Sequence, residues 1–217
     1  MTALTLIRHG QANSHARNEA EYDRLSSLGH QQARWLGEHL RSIGGFDRVV
    51  SGSMRRQRET AAGLNLDARP QREDPRLNEL DYFALSKALE ARDGIPFPDG
   101  PMAFAAHVPQ VLQMWREGHA APDHETYDHF RARVFGALTD AARDGPGAVL
   151  VTSTGVIATL CALALGLEAE MKARMFLRIM NTSVHRFVFD GDTLHLAQFG
   201  ATPHLDLPDR HAARTYY

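Results

Sequence analysis

The sequence of 217 residues contains a single cysteine, Cys161, so no intramolecular disulfide can form. Unpaired cysteine is typical of proteins in reducing compartments. No basic and apolar leader precedes the first predicted strand, which argues against secretion and predicts a cytoplasmic location. Cys161 stands in the apolar run "VIATLCALALGL" and is interpreted as a small core side chain.

The sequence also lacks an excess of one charge. Its 24 Lys and Arg residues are balanced by 26 Asp and Glu residues, which gives a formal net charge of -2. A protein that holds a nucleic-acid backbone usually carries a strongly basic face, because phosphate contacts dominate that affinity. A nucleic-acid partner is therefore not expected.

A hydrophobic run long enough for a membrane span is missing as well. The best candidate, residues 148–167, is interrupted by Thr152, Ser153, Thr154 and Gly155. These residues would be costly in hydrocarbon, but they suit the end of a strand, a turn and the start of a helix. The sequence thus predicts no membrane segment.

The sequence does contain strands that alternate with helices. Buried strands are predicted at "ALTLI", "FDRVVSG" and "GAVLVTS", each followed by a helical pattern, and "SVHRFVF" with "DTLHLAQF" predicts a hairpin around Gly191. Ser53 is predicted to cap the helix after the second strand. This order predicts an α/β fold of three layers, α/β/α, with a mainly parallel sheet and an antiparallel edge.

The segment from about 84 to 144 interrupts this alternation. We interpret it as an insertion of at least two amphipathic helices within a single domain of residues 1–217. Its predicted breaks fall at Pro96, Pro98, Pro101, Pro109 and Pro122. Phe83, Phe97 and Phe104 either line the mouth of a site or hold this insertion against the sheet.

Polar residues collect at the carboxyl ends of three predicted strands, where α/β sheets bind ligands. They are Arg8 and His9 after the first strand, Arg55, Arg56 and Arg58 after the second, and Ser153 and Thr154 after the late one. Arginine side chains together with the free amides of a helix start favour a bound phosphate group.

The motifs at these strand ends resemble those of the histidine phosphatase superfamily, the phosphoglycerate-mutase-like proteins. The similar stretches are "LIRHGQA", "DRLSSLGHQQARWLGEHL", "VVSGSMRRQRETA", "RLNELDYF" and "NTSVHRF". They cover residues 4 to about 80 and 147 to about 190. The resemblance implies that His9 is the nucleophile, that Arg8 and Arg56 hold the phosphate, and that Glu79 donates a proton. It implies no metal and no other cofactor.

Physical chemistry agrees with these roles. Two nearby guanidinium groups would lower the pKa of His9 and keep its imidazole neutral. Glu79 must be protonated to act as an acid, so its pKa has to be raised by burial or by nearby negative charge. Asp81, two residues further on, is the alternative acid; we favour Glu79 on the motif match.

Two positions depart from the family pattern. Thr154 stands where the superfamily normally has a second histidine, and the chain is similar to a branch that begins "RHGQA" without it. A neutral hydroxyl in place of a charged donor could cost about 1 to 2 kcal/mol, or one to two orders of magnitude in rate.

The family's phosphate-binding asparagine cannot be assigned to one position in this sequence: Asn13, Ser14, His15 and Asn18 are the candidates, and we favour Asn13. Ser153 and Thr154 complete the predicted phosphate contacts.

These residues predict a metal-independent phosphomonoesterase that forms a phosphohistidine on a small phosphate ester. A near-inactive member that only binds a phosphorylated ligand is the alternative. Phosphoglycerate mutase is disfavoured, because acidic residues outnumber arginines between 88 and 130 and a second phosphate needs cations. His119, His124 and His129 are interpreted as surface residues, since steps of five do not share a helix face.

Overall fold

The centre of the molecule is a mixed sheet. The structure is a computed structural model that describes residues 1–13, 16, 18–66 and 71–216. Over those residues the sheet has six strands in the order β3-β2-β4-β1-β5-β6. The strands are β1 Thr2–Arg8, β2 Arg48–Ser51, β3 Gln71–Glu73, β4 Ala148–Thr152, β5 Val184–Asp190 and β6 Thr193–Ala201. The first four pair in parallel, and β5 and β6 form the antiparallel edge. The predicted α/β fold class is confirmed.

Helices cover both faces of the sheet. They are α1 Glu19–Tyr22, α2 Ser27–Ile43, α3 Arg55–Gly63, α4 Tyr82–Asp93, α5 Pro101–Arg116, α6 Tyr127–Arg143, α7 Thr154–Leu165 and α8 Ala169–Phe176. Because side chains alternate along a strand, Leu6 enters one core and Ile7 enters the other. Residues from α4 to α8 fill the first core, and residues of α2 and α3 fill the second.

The helical segment between β3 and β4 follows the apolar pattern of its sequence. Val108, Val111, Leu112 and Trp115 of α5 are buried, as the spacing predicts. Pro109, however, does not mark a break between helices as predicted, because it lies inside α5. The loss of one backbone donor there is outweighed by the buried face on either side of the proline.

Two further predictions of local structure need correction. Ser53 does not cap α3: its hydroxyl accepts a hydrogen bond from Asn78 Nδ2 at 2.8 Å, and Met54 precedes the helix. Strand β3 was not predicted at all, because its three residues are exposed and polar and leave no apolar pattern. None of the described helices has the length and apolar character needed to cross a bilayer.

Candidate active site

Three neighbouring strand ends meet at one edge of the sheet. Arg8, the last residue of β1, pairs with Thr152, the last residue of β4, and β2 pairs with β4 on the other side. A cavity of about 420 Å³ opens at this edge. Among its lining residues are Arg8, His9, Glu19, Tyr22, Arg56, Glu79, Tyr82, Phe83, Phe97, Phe104, Thr154 and Tyr216. Five of the predicted site residues therefore share one cavity.

His9 is buried in this cavity, with 2% of its surface exposed. Its Nδ1 lies 2.7 Å from the carbonyl oxygen of Gly10. A carbonyl oxygen can only accept, so Nδ1 carries the proton and a neutral ring keeps its lone pair on Nε2. Burial, followed by the charges of Arg56 and Arg8, holds the pKa of His9 well below its ordinary value. The imidazole is therefore neutral near pH 7.

Close packing against α2 explains why a glycine, Gly10, follows His9. A Cβ atom at position 10 would lie 2.5 Å from the carbonyl oxygen of Gly29 in α2. The Gly10 amide donates to Thr60 Oγ1 in α3 at 3.0 Å. This close approach packs the end of β1 against α2 and α3, and it fixes the backbone from which the His9 ring projects.

Arg8 is held by backbone carbonyl groups from two distant segments. Its Nη1 donates hydrogen bonds to the carbonyl oxygens of Ile179 and Tyr216. The Nε atom of Arg8 is buried and has no hydrogen-bond partner within the described chain. Motif reasoning identified Arg8, but it gave no signal for Tyr216, which reaches the cavity from the far end of the sequence.

Arg56 is held by a cluster of side chains that the sequence did not suggest. Its guanidinium is 1% exposed and donates from Nη1 to Glu19 Oε1 at 2.5 Å and to Asp23 Oδ1 at 3.1 Å. The same guanidinium lies over the ring of Tyr22, 4.8 Å from its centroid. Glu19 and Tyr22 belong to the short helix α1, and Asp23 follows it.

Asp23 also occupies the start of α3. Its Oδ2 accepts from the Arg55 amide at 2.9 Å and its Oδ1 accepts from the Arg56 amide at 3.1 Å. These are helix-start amides that were predicted from the sequence to favour a bound phosphate group. They are capped by a carboxylate instead, so Arg56 reaches the cavity through its side chain alone.

Glu79 is seated on the start of α7. Both of its carboxylate oxygens lie 3.0 Å from the Gly155 amide, and Oε1 also accepts from the Leu80 amide at 3.0 Å. Burial raises the pKa of Glu79, against the opposing effect of these donors and of the two arginines. A Cβ at position 155 would lie 2.3 Å from Oε1, so a side chain there would displace the Glu79 carboxylate from this position.

Asp81, the alternative acid, lies outside the cavity. It is exposed, and its carboxylate caps α4 by accepting from the Ala84 amide at 2.9 Å. The geometry therefore places Glu79, rather than Asp81, beside His9 in the cavity.

Some of the predicted phosphate contacts line the cavity, and others lie outside its lining. Thr154, the first residue of α7, lines the cavity. Ser153 does not: its buried hydroxyl accepts from Gln57 Nε2 at 2.8 Å. Asn13 is also outside the lining, and its side chain donates to the Glu21 carbonyl at 3.1 Å. Asn18 caps α1, and Ser14 and His15 lie outside the described residues. Thr154 is therefore the predicted contact that lines the described cavity, whereas Ser153 and Asn13 are hydrogen-bonded to other protein groups outside its lining.

The histidine series at 119, 124 and 129 forms no cluster. No group of three or more His, Cys, Asp or Glu side chains in the described ranges is arranged to hold a metal ion. His129 is instead paired with Glu125, 2.6 Å away, on the surface of α6.

Sequence comparison identifies the family. A model of the histidine phosphatase superfamily (branch 1) matches residues 4–202. The chain therefore belongs to this superfamily, as its motifs predicted.

Individual relatives are more distant. The chain is 28% identical to a "Probable phosphoglycerate mutase GpmB" of Enterobacter sp. (strain 638), over 96% of this chain and 97% of that protein. Among solved structures, a mycobacterial glucosyl-3-phosphoglycerate phosphatase has a TM-score of 0.66 at 25% identity, over 93% of this chain and 100% of that one. Bacillus stearothermophilus YhfR has a TM-score of 0.70 at 23% identity, over 94% and 99%.

Proposed function

We propose that this chain is a phosphomonoesterase that transfers the phosphoryl group of a small ester to His9 and then to water, without a metal ion. One observation carries the proposal. The Nδ1–H of a buried, neutral His9 is anchored on the Gly10 carbonyl, which leaves the Nε2 lone pair free in a cavity shared with two arginines and Glu79. Solved relatives in the superfamily are named as phosphatases, which supports the same reaction class.

In the first step Nε2 of His9 attacks phosphorus, and the bond from phosphorus to the ester oxygen breaks. Protonated Glu79 gives its proton to the departing oxygen, and burial, which raises the pKa of Glu79, favours the protonated form that this step requires. Arg8 and Arg56 neutralise the transferring group, and the Gly10 carbonyl stabilises the positive charge that develops on the ring.

In the second step ionised Glu79 takes a proton from water, and the oxygen of that water attacks the phosphorus of phosphohistidine. The bond from Nε2 to phosphorus breaks, inorganic phosphate leaves, and Glu79 regains its proton. Thr154 contributes a neutral hydroxyl beside this reaction. We therefore expect turnover slower than in a site with a second histidine, by one to two orders of magnitude.

The test is steady-state hydrolysis of 4-nitrophenyl phosphate together with trapping of acid-labile phosphate on the protein. His9→Ala should abolish the trapped phosphate and reduce kcat at least about a thousandfold, because the nucleophile is gone. The matched control is His195→Ala, since His195 is an exposed histidine of β6 outside the cavity lining. Equal turnover in wild type and His9→Ala would remove the nucleophile assignment.

A second candidate function rests on Arg56. Both Glu19 and Asp23 already pair with its Nη1, so its charge is largely neutralised before any ligand arrives. A chain that binds a phosphorylated ligand without turning it over fits this arrangement. It would bind orthovanadate or phosphate at His9 and Arg8 but form no phosphohistidine, so the same trapping experiment separates the two functions.

Phosphoglycerate mutase activity is the least favoured alternative. Apart from His9, the basic side chains in the described cavity lining are Arg8 and Arg56, and Glu19 adds negative charge. Within the described lining, a bisphosphorylated intermediate would find no cation for its second phosphate beyond Arg8 and Arg56. Supplying 3-phosphoglycerate with its bisphosphate activator should therefore give no interconversion of isomers.

A further inference from the structure

Five aromatic rings line the cavity that holds Arg8 and Arg56. We name Tyr22, Tyr82, Phe83, Phe97 and Phe104 the aromatic wall, because all five line the cavity. They come from α1, from the start of α4, from the loop after α4 and from α5. Three separate helices and a loop therefore deliver rings to the same side of one cavity.

The rings form a continuous series that starts at the nucleophile. The ring of Tyr22 meets the His9 ring edge to face at 6.4 Å and lies 6.3 Å from Phe83. Phe83 stacks on Phe97 at 5.4 Å with an interplanar angle of 8°. Tyr82 then lies 6.1 Å from Phe97 and 5.3 Å from Phe104. Phe97 is 42% exposed, so the series runs from His9 to solvent.

The aromatic wall is also uncharged. The Tyr82 hydroxyl is bound to His107 Nδ1 at 2.7 Å, and burial raises the pKa of Tyr82 above its ordinary value. The charged groups of the described lining are Arg8, Arg56, Glu19 and Glu79, and both arginines are already engaged at the His9 end. An anionic group seated against the rings would lose its water, and the described lining offers it no cation beyond these two engaged arginines.

We propose that the substrate is a phosphomonoester whose leaving group is an apolar, ring-bearing alcohol with no second anionic group, and that Phe83 and Phe97 select it. The inference rests on the proposed function, because the wall selects only if the phosphoryl group sits at His9. A flat leaving group then extends from His9 along Tyr22 and contacts Phe83 and Phe97 by stacking. Esters without a ring lack this stacking contact. Esters that bear a carboxylate must strip water from a charged group when they bind.

The experiment compares three alkyl phosphates whose alkoxide leaving groups are of similar basicity: ethyl phosphate, 2-phenylethyl phosphate and the phosphate ester of 3-hydroxypropanoate. Because leaving-group chemistry is matched, differences in kcat/KM report the wall. We expect the phenylethyl ester to exceed the ethyl ester by about 10- to 100-fold, from burial of one ring. The carboxylate ester should fall below the ethyl ester.

Phe97 is the residue to change, because its half-exposed ring can be removed without emptying a core. Phe97→Ala should reduce the preference for phenylethyl over ethyl phosphate about tenfold, mainly through KM. Phe97→Arg should raise kcat/KM for the carboxylate ester. Phe199→Ala is the matched control: Phe199 is 37% exposed, lies on β6 outside the cavity lining, and should leave the preference unchanged.

A binding measurement separates failure of this inference from failure of the proposed function. Phosphonates cannot be hydrolysed, so calorimetric Kd values for 2-phenylethylphosphonate and ethylphosphonate report the wall even if no ester turns over. At least tenfold tighter binding of the phenylethyl compound, lost in Phe97→Ala, supports the inference. Equal Kd values, or tighter binding of a carboxylate-bearing phosphonate, would overturn it whether or not phosphohistidine forms.

Discussion

The two ends of the cavity are held in place by different forces. At the His9 end, Arg8, His9 and Glu79 are fixed by hydrogen bonds to backbone groups. At the other end, Phe83 and Phe97 are held by contacts between rings on the helical segment and its loop. Directional bonds set the positions of reacting atoms closely, whereas packing tolerates changes of shape.

We infer from this difference that the His9 end carries the chemistry and the aromatic end carries the selectivity. Substitutions at the hydrogen-bonded end should change kcat and leave the preference among leaving groups intact. Substitutions at the aromatic end should change that preference and KM. Each variant should therefore be assayed twice, once for turnover of ethyl phosphate and once for the ratio between phenylethyl and ethyl esters.

The largest effect is expected for Glu79→Gln. The amide cannot donate an acidic proton, so kcat for ethyl phosphate should fall about 10²- to 10⁴-fold while the ester preference stays unchanged. Asp81→Asn is the matched control, because Asp81 is exposed and caps α4. A comparable loss of kcat in Asp81→Asn would show that Asp81, rather than Glu79, is the acid.

The pH profile sharpens the same prediction. The pKa of His9 is lowered, so the ring is neutral and nucleophilic at all pH values above that lowered pKa. The pKa of Glu79 is raised, so the protonated acid persists to higher pH than an ordinary glutamate would. In wild type, kcat/KM should therefore decline as the pH rises through the pKa of Glu79, and this limb should disappear in Glu79→Gln.

An intermediate effect is expected for Asp23→Ala. This change removes three hydrogen bonds that seat Arg56, two of them from backbone amides and one from Nη1. We expect kcat/KM for ethyl phosphate to fall about 30-fold, equivalent to about 2 kcal/mol for a charged contact, with the ester preference retained.

Asp23→Asn is the companion variant, since its oxygen can still accept one amide. It should recover part of the activity lost in Asp23→Ala. If the alanine variant unfolds at the same urea concentration as wild type and keeps full activity, Asp23 does not position Arg56.

The smallest effect, and the only gain, is expected for Thr154→His. Thr154 lines the cavity at the start of α7, so an imidazole there could donate a charged hydrogen bond to the phosphoryl oxygens. We expect kcat to rise about tenfold, in line with about 1.4 kcal/mol per factor of ten. The control is Thr154→Asn, whose side chain is a neutral hydrogen-bond donor of a size similar to that of threonine. A slower histidine variant would mean that the cavity is shaped around threonine.

Much of the framework could be predicted from residues alone, because its causes are local. Apolar runs bounded by polar turns marked β1, β2 and β4, and a helical pattern was predicted after each of them. Since carboxyl ends of parallel strands meet at one edge of a sheet, Arg8, His9 and Thr154 could be expected to share a site. The family motifs then supplied Arg56 and Glu79.

Hydrogen-bond partners could not be predicted where a residue had more than one to choose from. Ser153 and Asn13 had the chemistry to bind phosphate, but Gln57 and the Glu21 carbonyl satisfy them. Ser53 had the chemistry to cap α3, but Asp23 does so. Hydrogen-bonding capacity is visible in a sequence, whereas the nearest partner depends on how distant segments pack.

Local patterns in the sequence account for the alternation of strands and helices, for the family, and for the choice of His9 as the proposed nucleophile. Each of these follows from short-range patterns of apolar spacing or from contiguous motifs. Only the tertiary structure decided that Asp23 and Glu19 hold Arg56, that Tyr216 meets Arg8, and that five rings from four segments line one cavity. The physical reason is that such contacts join residues far apart in the chain, and their energies exist only once the sheet has brought those segments together.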